Sequence, residues 1–130
     1  QSLAEGMEGA RKAGQRVLIY PEGHLAPPGH YFRYKSGVWH MQDAMNVPVV
    51  PVATNLGCFW QQQEINKKPG TAVIEFLAPI ETGLPKQVFL DELTKRTEEA
   101  TAVLLCEASQ GALVETQLLD DPVRKQANAT

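Results

Sequence analysis

Val17-Leu18-Ile19-Tyr20-Pro21-Glu22-Gly23-His24 is the stretch that decides how this 130-residue chain reads. Four residues that favour a buried strand run directly into Pro-Glu-Gly. Such a strand delivers a carboxylate and a flexible glycine to one edge of a sheet, and open α/β sheets bind ligands at that edge. A second strand-like run, Val47-Pro48-Val49-Val50-Pro51-Val52-Ala53, follows about one βαβ unit later.

Working outward, Leu3, Met7 and Ala10 recur at helical spacing before Gly14 and predict the end of an amphipathic helix. Residues 16–20 then read as a short buried strand. Residues 21–34, with Pro27-Pro28-Gly29, hold too many breakers for regular structure and read as a loop. Ser36 is placed to cap a helix running to about Asn46. Residues 47–54 read as the next strand, edge-like or irregular because of Pro48 and Pro51. A long connection, 55–70, carries an apolar tip at Leu56-Gly57-Cys58-Phe59-Trp60. Residues 71–77 predict a third strand, 78–86 a turn region, and 87–110 a long helix with Phe89, Leu93, Ala100 and Leu104 on one stripe. The first two strands flank a helix, which predicts parallel neighbours joined by a right-handed crossover. The fold class expected is α/β, with a mixed, mostly parallel sheet flanked by helices.

Composition fits that reading. Charged residues are 21% and hydrophobic ones 43%, as in ordinary globular sequences. A net charge of −3 without a basic block argues against nucleic acid as a partner. Cys58 and Cys106 are distant and read as free thiols, and three scattered histidines match no zinc spacing. No apolar run approaches the roughly 18 residues of a membrane span. The chain opens at Gln1 inside a helical pattern, so a piece of a longer protein is expected.

Taken together, Tyr20-Pro21-Glu22-Gly23-His24-Leu25, Tyr34-Lys35-Ser36-Gly37 and Val47-Pro48-Val49-Val50-Pro51-Val52 resemble three blocks of the glycerolipid acyltransferases, specifically 1-acyl-glycerol-3-phosphate acyltransferases of the PlsC type. Pro69-Gly70-Thr71 and Val73-Ile74-Glu75-Phe76-Leu77-Ala78-Pro79-Ile80 resemble the family's downstream strand. Pro-Glu-Gly alone is a weak signal; the three blocks at this spacing are a strong one. The resemblance covers about residues 1–110, read as the C-terminal part of an acyltransferase domain with a partial glycerolipid-acyltransferase fold. Residues 111–130 read as a polar, poorly ordered tail.

What the resemblance implies is acyl transfer from acyl-CoA or an acyl carrier protein to the free hydroxyl of a 1-acylglycerol-3-phosphate-like lipid. It implies work at the cytoplasmic face of a membrane (the inner membrane if bacterial), in phospholipid biosynthesis, with no metal or bound cofactor. The family's base is the His of an upstream H-x-x-x-x-D block. Here His24, His30 and His40 are followed five positions on by Gly29, Lys35 and Met45, so no catalytic residue is expected in this chain. A positioned general base is worth roughly 10²- to 10⁴-fold in rate, and the chain alone is expected to be inactive.

Glu22, Gly23, His24, Arg33 and Lys35 are the candidate substrate-binding residues. Glu22 orients the acceptor, or caps the following loop through backbone N–H groups. Gly23 reads as a position needing freedom in φ. The family's Thr-Arg after Glu-Gly is His24-Leu25 here, and leucine cannot donate to a phosphate. Arg33 and Lys35 lie along the same loop and are placed to compensate. The 56–60 tip reads as dipping into a bilayer surface, lining an acyl-chain tunnel, or packing over the sheet. A second reading of the whole is a non-catalytic lipid- or phosphate-binding module of the same fold. A generic phosphate-binding domain would need a glycine-rich loop, whereas residues 21–29 are proline-rich.

Overall fold

The computed structural model describes residues 2–60, 65–109 and 116–120. Three helices carry most of the regular structure. The first, α1 (Leu3–Lys12), is started by a capping box: the Glu5 N–H donates to Ser2 Oγ, and the Ser2 N–H donates to the Glu5 carboxylate. It ends at Ala13, with Gly14 following at φ +64°. Helix α2 (Gly37–Met45) starts after Ser36, which occupies the cap position without making a side-chain capping bond. Asn46 closes it in the left-handed region, at φ 51°, a conformation asparagine tolerates better than most residues. Helix α3 (Lys86–Ala108) buries Phe89, Leu93, Leu104 and Leu105. Helix α1 packs on α2, α2 on α3, and α3 across β2.

The strands depart from expectation. Residues 16–20 form no strand; Ile19 packs against the core, while Leu18 and Tyr20 are about three-quarters exposed, at 75% and 74%. A strand is stabilised by its neighbour's hydrogen bonds, and none of the described strands lies beside this segment. Inside the expected 21–34 loop sits β1 (His30–Phe32), paired in parallel with β4 (Gln117–Leu119). That second strand falls in the expected polar tail; residues 111–115 and 121–130 lie outside the described residues.

Of the expected 47–54 strand, Val52–Thr54 forms β2, and of the expected 71–77 strand, Ile74–Phe76 forms β3. They pair antiparallel, Val52 opposite Phe76 and Thr54 opposite Ile74. Pro48 and Pro51 lack the N–H that a longer ladder would use. Pairing still extends past both ends. The Leu77 N–H donates to the Pro51 carbonyl at 2.9 Å, and Val49 forms a bridge with Ile80. At the other end the Val73 N–H donates to Asn55 Oδ1 at 2.8 Å. Among the described residues, the mostly parallel sheet of the sequence reading is therefore two separate two-stranded sheets, one parallel and one antiparallel. The architecture remains α/β in class.

One core holds these pieces. Tyr34, Val38, Ile80, Phe89 and Leu93 are buried together, with Ile19, Tyr31, Trp39, Val49, Leu84 and Leu90 packed around them. Polar anchors fix its border. The buried Gln42 side chain donates to the Ile80 carbonyl at 2.9 Å, and the Trp39 indole donates to the Leu84 carbonyl at 3.0 Å. The Ile80 carbonyl already accepts from the Val49 N–H, so the Gln42 bond satisfies the buried amide, a polar group that would cost about 1–3 kcal/mol to bury unpaired.

Candidate functional site

The Pro-Glu-Gly segment forms a turn stapled to the chain that follows it. Gly23 donates its N–H to the Tyr20 carbonyl at 3.1 Å and sits at φ +71°, where a side chain is strained. The Lys35 N–H donates to the Pro21 carbonyl at 2.8 Å. Lys35 then lays its side chain across the turn: a Cβ on Gly23 would lie 2.9 Å from its Nζ. The Phe32 N–H donates to Glu22 Oε2 at 2.7 Å. The His24 ring meets Phe32 edge-to-face, with centroids 5.5 Å apart.

Glu22 therefore caps a backbone N–H ten residues on, the loop-capping arrangement weighed for it above. Four of the five candidate residues, Glu22, Gly23, His24 and Lys35, belong to this stapled turn. Arg33 goes elsewhere, into a groove against α3.

Beneath the turn lies a polar cluster that the sequence reading missed. Tyr34 is 6% exposed and donates its hydroxyl to Glu98 Oε1 at 2.7 Å. Thr116 also hydrogen-bonds the Glu98 carboxylate. Burial pushes the Glu98 carboxyl above its ordinary range, against the pull of those two bonds. Glu22 is raised as well, first by burial and further by the charge of Glu98, with the Phe32 N–H opposing. The Tyr34 phenol is driven far above its usual range by burial and then by the Glu98 charge. It stays protonated at any physiological pH and acts as a fixed donor. Two half-buried carboxyls, one on the turn and one on α3, thus interact electrically around a single tyrosine. In sequence Glu98 falls off the apolar stripe of α3 and reads as solvated; its partner lies 64 residues away.

The groove is about 340 Å³ in volume. Tyr31, Arg33 and Tyr34 line it from the β1 side, Leu118 from β4, and Gln87, Leu90, Asp91, Thr94 and Lys95 from the first turns of α3. The 56–60 tip is partly a 3₁₀ turn, Leu56–Cys58. Phe59 packs on Gly70, Trp60 is exposed, and Lys67 Nζ stands 4.0 Å from the Trp60 ring centroid. Residues 61–64 lie outside the described residues. Among the described residues no three His, Cys, Asp or Glu side chains gather as a metal site, and no helix is long and apolar enough to cross a membrane.

Part of the chain is similar to known acyltransferases. A Pseudomonas aeruginosa protein named 1-acyl-sn-glycerol-3-phosphate acyltransferase is 34% identical over 71 residues, covering 55% of this chain and 28% of the relative. Proteins of the same name from Cocos nucifera and Limnanthes alba are 25% and 24% identical over 83 residues, or 63% of this chain. The chain spans under a third of the length of these curated relatives, 27–30% for the two plant proteins. No protein-family model matches the chain, and no solved structure matches it.

Proposed function

We propose that this chain is the acceptor-side part of a lipid O-acyltransferase acting on a 1-acylglycerol-3-phosphate-like lipid. The observation that carries the reading is the 34% identity, over 71 residues, to a protein of that name. The stapled Pro-Glu-Gly turn supports it, since it holds Glu22 on the Phe32 N–H and lays Lys35 over Gly23. The reaction forms an ester C–O bond and breaks the thioester C–S bond; the acceptor's hydroxyl proton ends on the departing thiol. Acyl-CoA or an acyl carrier protein would be the donor, at the cytoplasmic surface of a membrane. Glu22 and Gly23 shape the loop, and His24 and Lys35 face the acceptor from the turn, with Arg33 apart from them in the α3 groove. No side chain described here is placed as the base that takes the hydroxyl proton.

The test is a transfer assay with acyl thioester and lysophosphatidate on this chain and on the full-length parent. Transfer by the parent and none by the chain is the expected outcome. Turnover by the chain near that of the parent would overturn the assignment of the base to residues outside it. A second reading, a lipid- or phosphate-binding module without catalysis, is favoured by Leu25 standing where the family has its phosphate-gripping arginine. Lysophosphatidate binding by a parent that transfers nothing would establish that reading instead.

A further inference from the structure

The loop between β2 and β3 presents a surface that the acceptor-side reading does not use. Its base is closed by Asn55, whose buried side chain accepts the Val73 N–H at 2.8 Å. Farther out the Lys68 N–H donates to the Phe59 carbonyl at 2.9 Å, so residues 59–60 run beside 67–68. The Phe59 ring lies over Gly70, where no side chain would fit, and is half-buried there. Its neighbour Trp60 points the other way and is 53% exposed. The Trp60 N–H donates to the Leu56 carbonyl at 3.0 Å, which sets a second exposed apolar residue one turn away. Ile65, at 96% exposed, has almost nothing against it. Lys67 Nζ stands 4.0 Å from the Trp60 ring centroid. Residues 55–70 hold two lysines, Lys67 and Lys68, and one acid, Glu64, in a chain whose overall charge is −3.

We infer that this loop docks the protein on an anionic lipid bilayer, with Trp60 and Ile65 entering the boundary between headgroups and acyl chains and Lys67 and Lys68 meeting the negative headgroups. Tryptophan favours that boundary because one end of the indole is apolar and the other carries an N–H. Lysine reaches the headgroups along an apolar stem, and each lysine near an anionic surface adds attraction. The 4.0 Å stack of Lys67 on Trp60 places charge and ring at the same level. A protein partner fits less well: a stable interface needs roughly 800 Å² on each side, more than three apolar side chains on one loop offer. Of the roles open to residues 56–60, packing falls to Phe59 and the bilayer contact to Trp60. The inference rests on the membrane setting proposed above, and adds the element that makes the contact and its requirement for negative charge. Its test is vesicle binding without substrate, so a chain or parent that transfers nothing can still pass or fail it.

The experiment is co-sedimentation of the 130-residue chain with two kinds of vesicle, phosphatidylcholine alone and phosphatidylcholine mixed about equally with phosphatidylglycerol. The mixed vesicles should bind about tenfold more tightly. That preference should vanish in about 1 M salt, where charges are screened within about 3 Å. Lys67→Gln and Lys68→Gln should each weaken binding to the mixed vesicles about fivefold. Trp60→Ala and Ile65→Ser should each weaken it about tenfold, as loss of buried apolar area does. Leu3→Ser and Lys12→Gln, on α1, should change nothing. All six positions are exposed, so circular dichroism should show unaltered folding. Depth gives an independent reading. Phosphatidylcholine brominated on its acyl chains should quench the tryptophan fluorescence of the bound chain. Trp60→Phe should remove most of that quenching, because the remaining Trp39 is tied to the Leu84 carbonyl at the core's border. Equal binding to neutral and mixed vesicles, affinity unchanged in both Trp60→Ala and Ile65→Ser, or quenching undiminished in Trp60→Phe would overturn the inference. So would dimerisation abolished by Trp60→Ala without vesicle binding, which would make the surface a contact between copies of the chain.

Discussion

Removing the Tyr34 hydroxyl tests whether the Pro-Glu-Gly region is tied to α3 through Glu98. Tyr34→Phe deletes one oxygen and leaves the ring in the core, where Tyr34 is packed with Val38, Phe89 and Leu93. The lost bond is a 2.7 Å donation to a carboxylate. Hydrogen bonds to charged groups contribute about 1.5–3 kcal/mol. Thr116 still bonds the same carboxylate, which favours the lower end, about 1.5 kcal/mol. With a urea m-value of about 1.5 kcal/mol/M, the unfolding midpoint at pH 7 should fall by about 1 M. Packing changes contaminate a single variant, so Glu98→Ala and the double variant complete a cycle. The coupling between the two should be about 1 kcal/mol, because residues in direct contact do not behave additively. If the two substitutions add to within about 0.3 kcal/mol, the bond does not hold turn and helix together, and the account of the cluster is wrong.

Acid should favour the folded state over part of the pH range. Glu22 and Glu98 are both raised when folded, chiefly by burial, so the folded chain binds more protons than the unfolded one. Their contribution is fully present below the unfolded value near 4.3 and is lost as pH rises through the folded values. Urea midpoints should therefore decline as pH rises above about 4.3, and the Glu22→Gln/Glu98→Gln double variant should flatten that decline; an unchanged slope refutes the assignment. Gly23→Ala should cost about 1–2 kcal/mol in thermal melts, because alanine resists φ +71°. The neighbouring Lys35 terminus can swing away, so Gly23→Asn should recover much of that loss. Phe89→Ala, at a fully enclosed position, should cost about 3–5 kcal/mol, a large share of a typical domain's 5–15.

The helices were legible because their signal is local. The Leu3, Met7 and Ala10 spacing marks α1, Asn46 the end of α2, and the Phe89–Leu93 spacing the inner face of α3, although Gln1 was expected to lie inside a helix and α1 starts after it, at the Ser2–Glu5 capping box. Strands need a partner that the local sequence does not name. Residues 17–20 have every strand-favouring side chain and no described neighbour to pair with. His30–Phe32, behind Pro27-Pro28-Gly29, has a neighbour that no periodicity announces. The same division runs through the candidate site. Pro-Glu-Gly and Lys35 were visible as blocks, and their contacts are short in sequence. Tyr34 and Glu98 are 64 residues apart and meet only in the fold.

Among the described residues, the bridge between Val49 and Ile80 should be where solvent deuterium enters last outside the helices. Each residue donates its N–H to the other's carbonyl, at 3.0 and 2.7 Å, and Ile80 is 2% exposed. The Ile80 carbonyl also takes the Gln42 side chain, so its release requires α2 to part from the bridge. Each two-stranded sheet has three-residue strands and an open edge, so its amides can be released by local fraying. The Ile80 amide should instead be freed in the same opening event as the middle of α3, which would make one isolated residue pair a reporter of the whole core's lifetime.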